Sequence, residues 1–363
     1  MTPGTEATPH ARTPVRDDLA DLVPYGAPQL DVPVRLNTNE TAEPPPDVFL
    51  AEVGRRIQSL DLNRYPDRPH TRLRELLAGR VDLDVGQTWA ANGSNEVLMQ
   101  LLQAYGGRGR RLASVRPGYS MYPVLARVSA TEFVEVDLAD DFGWDDRVVA
   151  DLAAADADVV FVANPNNPTG MRVPAEVLAA LHDAVAPALL VVDEAYVEFG
   201  GASVVEHVGT WDRLVVSRTF SKAFRLAGLR LGYLHGPDWV VQDLRRVRLP
   251  YHLDALKQVA AEVAIEQEQA FLGHRQRVAD ERDRVIDALR ALDEVHAWPS
   301  DANFVLWRVP DAPAVFDALL DRGVLVRDFS SKPRLDDCLR VTIGTASEND
   351  EFLAALADVL ASS

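Results

Sequence analysis

Lysine is almost missing from this chain. Three occur among 363 residues, and the other 34 of the 37 basic residues are arginine. Chemistry that needs a primary amine is therefore confined to three positions, because a guanidinium stays protonated at any working pH. Cysteine is scarcer still. With Cys338 alone, no disulfide can form within the chain, which suits a reducing compartment. No apolar run approaches the roughly 18 residues of a membrane span, and the first 36 residues carry no run suited to a signal peptide. Basic surplus is also lacking. The net charge is −18, with no basic stripe, so a nucleic-acid or anionic membrane partner is not expected. An anionic ligand must then be held by local arginines and backbone amides. No metal site is expected either. The chain reads as a cytoplasmic protein.

The chain alternates helix and strand from about residue 71. Short, near-continuous apolar runs at 158–163, 188–193, 214–218 and 231–235 alternate with stretches of helical period. That texture predicts a mainly parallel sheet covered by helices on both faces, an α/β fold. After about residue 248 a long charged helical stretch, expected to break near Gly273, leads into short strands and two helices. The organisation expected is an N-terminal arm (1–44), a large domain (45–247) and a smaller α+β domain (248–363).

Of the three lysines, Lys257 lies in a helical stretch and Lys332 beside a proline in a polar loop. Lys222 instead follows an apolar strand, between Thr219, Ser221 and Arg230. Hydroxyls with an arginine suggest a phosphate site. An amine beside a phosphate site suggests pyridoxal phosphate, whose aldehyde condenses with lysine. Ligands in doubly wound sheets bind beyond the carboxyl ends of the strands. There the sequence puts Asn167, Asp193, Tyr196 and Lys222. Asp193 suits a ring-nitrogen partner, Asn167 and Tyr196 suit the phenolic oxygen, and Lys222 suits proton transfer. Gly93-Ser-Asn-Glu96 opens a helix whose free N–H groups could face the phosphate, with Thr219, Ser221 and Arg230 completing the cradle. Tyr119 could lie on the ring face. Each has a plainer reading: Ser94 as a helix cap, Asn164-Pro-Asn-Asn-Pro-Thr-Gly170 as a turn, Asp193 as a carboxylate bonded to nearby backbone, Tyr119 as packing, Lys222 as a surface amine.

Asn167-Pro-Thr-Gly170, Asp193-Glu-Ala-Tyr196 and Ser221-Lys222 with Arg230 resemble the fold-type-I pyridoxal-phosphate aminotransferases. Arg35-Leu-Asn-Thr-Asn-Glu40, Asn63-Arg-Tyr-Pro-Asp67, Ala91-Asn-Gly-Ser-Asn-Glu96 and Cys338-Leu-Arg-Val-Thr-Ile-Gly-Thr345 are similar to the histidinol-phosphate branch of that family. The likeness spans about residues 20–355. It implies Lys222 as the cofactor lysine, Asp193 as the pyridinium partner, and Ser94, Asn95, Thr219, Ser221 and Arg230 around the phosphate. Tyr119 would stack on the ring, and Asn167 and Tyr196 would bind the phenolic oxygen. Tyr65 would reach the phosphate of a second subunit, which implies a homodimer with shared sites. Arg327 and Arg340 would bind the anion of histidinol phosphate or of glutamate and 2-oxoglutarate, and Tyr25 and Asn39 would wall the substrate. An aromatic amino-acid aminotransferase and, further off, a phosphoamino-acid decarboxylase stand as alternatives. One residue departs from the pattern. Arg225 stands where many relatives have a small residue, and helix-surface exposure is expected of it.

Overall fold

A computed structural model of the chain describes residues 13–24 and 26–362. Its centre is a seven-stranded sheet. Across it run Thr88–Ala91, Gly232–His235, Leu214–Thr219, Leu189–Asp193, Val159–Ala163, Arg111–Arg116 and Glu132–Asp137. The pairings from Leu214–Thr219 to Glu132–Asp137 are all parallel, while Gly232–His235 runs antiparallel to both neighbours. The mainly parallel α/β sheet expected from the sequence is present.

The apolar runs lack alternation because both faces are covered. Val160, Val162, Leu190, Val192 and Val216 point into one core with Leu178 and Leu181 of the helix Ala175–Ala184. Their neighbours Val159, Phe161, Leu189, Val191 and Val215 point into the other, with Val97, Leu98 and Leu101 of the helix Ser94–Tyr105. Each fully buried Val or Leu contributes about 1.5–3 kcal/mol, so this sheet is the rigid platform for whatever its rim carries.

A second, four-stranded antiparallel sheet runs in the order Arg327–Asp328, Cys338–Thr342, Phe304–Arg308, His296–Ala297. Val285, Leu289, Phe304, Trp307, Leu319, Phe352 and Leu356 form its core against the helices Gln269–Arg290, Ala312–Asp321 and Ala346–Ala361. Thr345 and Glu348 close a capping box at the start of the last helix. The N-terminal segment is stitched to this part of the molecule, because Val34–Arg35 pairs in parallel with Val324–Leu325.

Two expectations need correction. The charged helical stretch breaks at Gln267 and Glu268, between Ala255–Glu266 and Gln269–Arg290, and not near Gly273. Gly273 sits inside the second helix, where glycine costs only about 1 kcal/mol. The turn upstream lets Phe271 enter the aromatic cluster of Phe49 and Phe224. Arg225 is also not an exposed helix residue. Its side chain is 8% accessible, and it donates from Nη1 to the Pro44 carbonyl at 2.9 Å. Local sequence could not report that, because the partner lies 181 positions away.

Among the described residues, no helix is long and apolar enough to cross a membrane.

Candidate active site

In-register pairing aligns the carboxyl ends of three parallel strands. Ala163 lies beside Asp193, and Asp193 beside Ser217. Beyond that rim opens a cavity of about 600 Å³, bordered also by residues of the second sheet and of the N-terminal segment. Its wall brings together Asn39, Ser94, Asn95, Tyr119, Asn167, Asp193, Tyr196, Thr219, Ser221, Lys222, Arg230, Arg327 and Arg340. Tyr65 is not on this wall. Its ring is 79% exposed and stacks on Tyr251 with centroids 4.3 Å apart. Tyr25 lies outside the described residues, although its neighbours Gly26 and Ala27 line the cavity.

Lys222 stands three residues past the strand Leu214–Thr219. Its Nζ donates to the carbonyls of Thr38 at 3.0 Å and Asn39 at 2.8 Å. Burial, helped by the charges of Arg340 and Arg230 and opposed by Glu40, pulls its pKa down from 10.5 to about 7. The amine is thus poised to be neutral at physiological pH, unlike a surface lysine.

Asp193 ends the strand Leu189–Asp193 and is 4% exposed. Burial pushes its carboxyl up to about 7, although the Tyr122 hydroxyl and the Ala195 backbone amide both favour the charged form. Tyr122 donates to Oδ2 at 3.2 Å, while Oδ1 is buried with no hydrogen-bond partner. A buried carboxylate oxygen left open costs about 1–3 kcal/mol, so Oδ1 marks a place meant for a donor. The next residue, Glu194, is tied down by an ion pair with Arg218 at 2.9 Å and by the Val204 amide at 2.8 Å, which fixes the chain as it leaves the strand.

The Tyr196 hydroxyl accepts from Asn39 Nδ2 at 3.0 Å and from Asn167 Nδ2 at 3.3 Å. Asn167 Oδ1 in turn accepts from Arg340 Nη1 at 2.6 Å. Asn39 is anchored by the second sheet, since its amide donates to the Thr342 hydroxyl and its carbonyl accepts from Asn303 Nδ2. The loop that presents Asn167 closes at Gly170. There φ is +77°, and a Cβ would lie 2.4 Å from Ser300 Oγ, so only glycine fits.

Arginines line two parts of the cavity wall. At one, Thr219 Oγ1 donates to Ser221 Oγ at 3.0 Å, and Arg230 Nη1 donates to the same atom at 3.3 Å. The helix Ser94–Tyr105 opens beside them. Its N-cap is Gly93 with φ +89°, where a Cβ would sit 2.9 Å from Arg230 Nη2. Ser94 is thus the first helical residue and not the cap. Its side chain and the amides of the first turn remain available to an anion. At the other, Arg327 and Arg340 are directly opposed in the antiparallel pairing. Like charges opposite one another destabilise a sheet. An anion bridging the two guanidinium groups would remove that penalty.

Three residues of this site escaped the sequence. Tyr122 lies three positions past Tyr119 across the turn that opens the helix Met121–Val128, with rings 5.3 Å apart. Phe329, whose ring lies under Arg340 at 5.1 Å, directly follows the strand Arg327–Asp328, where no strand period reveals it. Glu40 carries its carboxylate into the cavity wall from an irregular segment, where no period exists to reveal it.

A family model described as "Aminotransferase class I and II" matches residues 32–356. A histidinol-phosphate aminotransferase of Mycobacterium sp. (strain JLS) is 47% identical, covering 98% of this chain and 96% of the relative. One from Frankia casuarinae is 46% identical, covering 96% and 91%. The crystal structure of histidinol-phosphate aminotransferase from Sinorhizobium meliloti, solved with pyridoxal-5′-phosphate, superposes with a TM-score of 0.83 at 27% identity, covering 91% of this chain and 92% of that one.

Proposed function

The chain belongs to the class I and II aminotransferases, and we propose that it transfers an amino group from L-histidinol phosphate to 2-oxoglutarate, giving imidazole acetol phosphate and glutamate in histidine biosynthesis. The observation that carries this reading is the cavity that holds a buried neutralisable amine, an open buried carboxylate oxygen and an opposed arginine pair together. The nearly full-length likeness to histidinol-phosphate aminotransferases supports the choice of substrate.

The residues fit pyridoxal 5′-phosphate. When bound, it supplies an aldehyde that takes up the amino group and an electron-poor ring that draws charge from the substrate α-carbon. Asp193 would hold a proton on the ring nitrogen through Oδ1, the atom that has no partner within the chain. Asn167 and Tyr196 would orient the ring at its phenolic oxygen, and Tyr119 would cover its face. Ser94, Asn95, Thr219, Ser221 and Arg230 would hold the phosphate. Lys222 would retain the cofactor and then act as the base that moves the α-proton of the substrate, a role for which its lowered pKa suits it.

One site must take two different anions in turn. Glutamate offers an α-carboxylate, and histidinol phosphate offers a phosphate ester in its place. A guanidinium fork binds either group bidentately, so Arg340 with Arg327 would serve both, and Asn39 would wall the substrate. Turnover of histidinol phosphate is expected to exceed that of phenylalanine by at least about 100-fold in kcat/KM, because phenylalanine, although its α-carboxylate can reach the same pair as glutamate's does, lacks both the imidazole and the phosphate ester. Equal turnover of the two would turn the reading toward an aromatic amino-acid aminotransferase.

We read the enzyme as a cytoplasmic homodimer. Tyr65 and Tyr251 form an exposed aromatic stack, flanked in sequence by exposed Leu62 and Leu249. A second copy covering this surface would bring Tyr65 to the neighbouring phosphate. Losing one hydrogen bond to a charged group costs about 1.5–3 kcal/mol. Tyr65→Phe should therefore raise the cofactor dissociation constant by about 10-fold or more, and an unchanged constant would argue against a shared site.

A further inference from the structure

The carbonyl of Lys222 accepts two hydrogen bonds, one from the Arg225 backbone amide at 2.9 Å and one from the Thr41 hydroxyl at 3.0 Å. Its amine meanwhile donates to the carbonyls of Thr38 and Asn39. The segment 38–44 therefore lies across Lys222 like a strap that touches it at both ends. What fastens the far end of the strap is Arg225. Its Nη1 donates to the Pro44 carbonyl at 2.9 Å and lies 3.3 Å from Glu43 Oε2. Its guanidinium also sits over the Phe271 ring at 6.0 Å.

Glu43 is shared. Arg277 Nη2 donates to its Oε2 at 2.8 Å, and His274 Nδ1 lies 3.8 Å away, both on the helix Gln269–Arg290. Burial works against charge on Glu43, yet Arg277, Arg225 and His274 hold its carboxyl below the ordinary value. The backbone adds a second sign of purpose. Arg225 has φ +55°, a left-handed conformation that costs a residue with a Cβ about 1 kcal/mol or more. A strained residue persists where its surroundings over-determine it, and here the side chain is what they hold.

We propose that Arg225 is a positioning residue whose clasp on Glu43 and the Pro44 carbonyl holds the 38–44 strap over Lys222 and limits the access of water to its amine from that side. This goes beyond the proposed reaction and rests only on Lys222 being the amine that takes up the cofactor. The clasp acts on proton affinity through burial. Lys222 is faced by Glu40 from the strap, Arg340 from the second sheet, Arg230 from its own loop and the Tyr196 ring at 5.7 Å. Arg340, Arg230 and Tyr196 stay in place in an Arg225 variant, whereas Glu40 moves with the strap; its retreat lowers the amine's pKa, but burial is the larger influence. If the strap loosens, water reaches the amine, and its pKa moves back toward that of a free lysine.

The test follows uptake of pyridoxal phosphate by cofactor-free dimer as a function of pH, read by absorbance, alongside thermal melting. Wild type should show a half-rise near 7, where both Lys222 and Asp193 titrate, and because Asp193 is unaltered in the variants the shift between them reads the lysine. Arg225→Ala should move it upward by about one pH unit, and Arg225→Lys, which keeps a cation for Glu43, should bring it most of the way back. Arg225→Gly relaxes the backbone but removes the clasp, so it should shift as alanine does. A half-rise in Arg225→Ala that matches wild type overturns the proposal, even if the variant melts earlier, because a merely structural clasp would lower stability alone. Should Arg225→Ala fail to fold, Glu43→Gln decides, with an upward shift supporting the clasp and no shift overturning it. Lys222→Ala serves as control. Uptake with an unchanged pH profile in that variant would remove the lysine assignment itself, an outcome distinct from a clasp that does nothing.

Discussion

Lys222→Ala should lower turnover of histidinol phosphate by at least about 10⁴-fold while leaving the fold intact. General base catalysis alone is worth about 10²–10⁴, and the same residue is proposed to retain the cofactor, so both losses fall on one side chain. No other residue can take over. Neither remaining lysine lines the cavity: Lys257 is bonded to Asn92 and paired with Asp254, and Lys332 lies in the turn that follows Phe329. Arginine cannot give up its proton. Retained turnover would remove lysine from the mechanism.

The same residue sets a pH dependence. An amine must be neutral to attack an aldehyde. An ordinary lysine at pH 8 is only about 0.3% neutral, given a pKa near 10.5. Burial lowers Lys222 to about 7, so most of it is neutral at pH 8. Because the shift is downward, the charge is lost as pH rises through 7, and cofactor uptake by the stripped protein should climb over that interval. A half-rise near 10 would mean that the amine is solvated and the cavity does not enclose it.

The candidate site on the rim was legible in the sequence because parallel strands buried on both faces cannot hide their ends. Each apolar run stops where the first polar residue meets the rim, and Asp193, Asn167 and Lys222 all follow such stops. In-register pairing then brings them together without further information. What stayed hidden depended on partners far away in the chain. Thr88–Ala91 is four residues long and buried throughout, too short for a period, and its partner strand lies about 140 positions on. The Arg327–Arg340 opposition depends on strand register, which follows from the packing of the second sheet rather than from either residue's neighbours. Arg225 looked like surface because arginine usually is. Only the return of Glu43 and Pro44 to its side buries it. Tyr65, by contrast, sits exposed on the outside of the chain and stacks on Tyr251, so the role proposed for it depends on a second copy.

Asp193→Asn should keep the fold and lose about 10²–10⁴-fold in turnover. Removing one partner of a buried charged pair costs about 3–5 kcal/mol, and each 1.4 kcal/mol is a factor of ten. The direction follows from the hydrogen-bond arrangement. Tyr122 donates to one side-chain oxygen of residue 193. An asparagine would keep its own oxygen for that bond and turn its NH₂ toward the ring nitrogen. Two donors would then meet, so the ring nitrogen could not keep its proton, and the electron withdrawal that the reaction needs would be lost. In wild type the sign is opposite. Burial holds the free carboxyl near 7, and a cationic ring nitrogen would draw it back toward the charged form, so cofactor binding near pH 6 should release a proton from Asp193. The variant has no such proton to release. Asp193→Asn should therefore lose a pH-linked component of cofactor affinity as well as its rate. Turnover within a few-fold of wild type, with the same pH dependence of cofactor binding, would show that Oδ1 is a buried oxygen without a task.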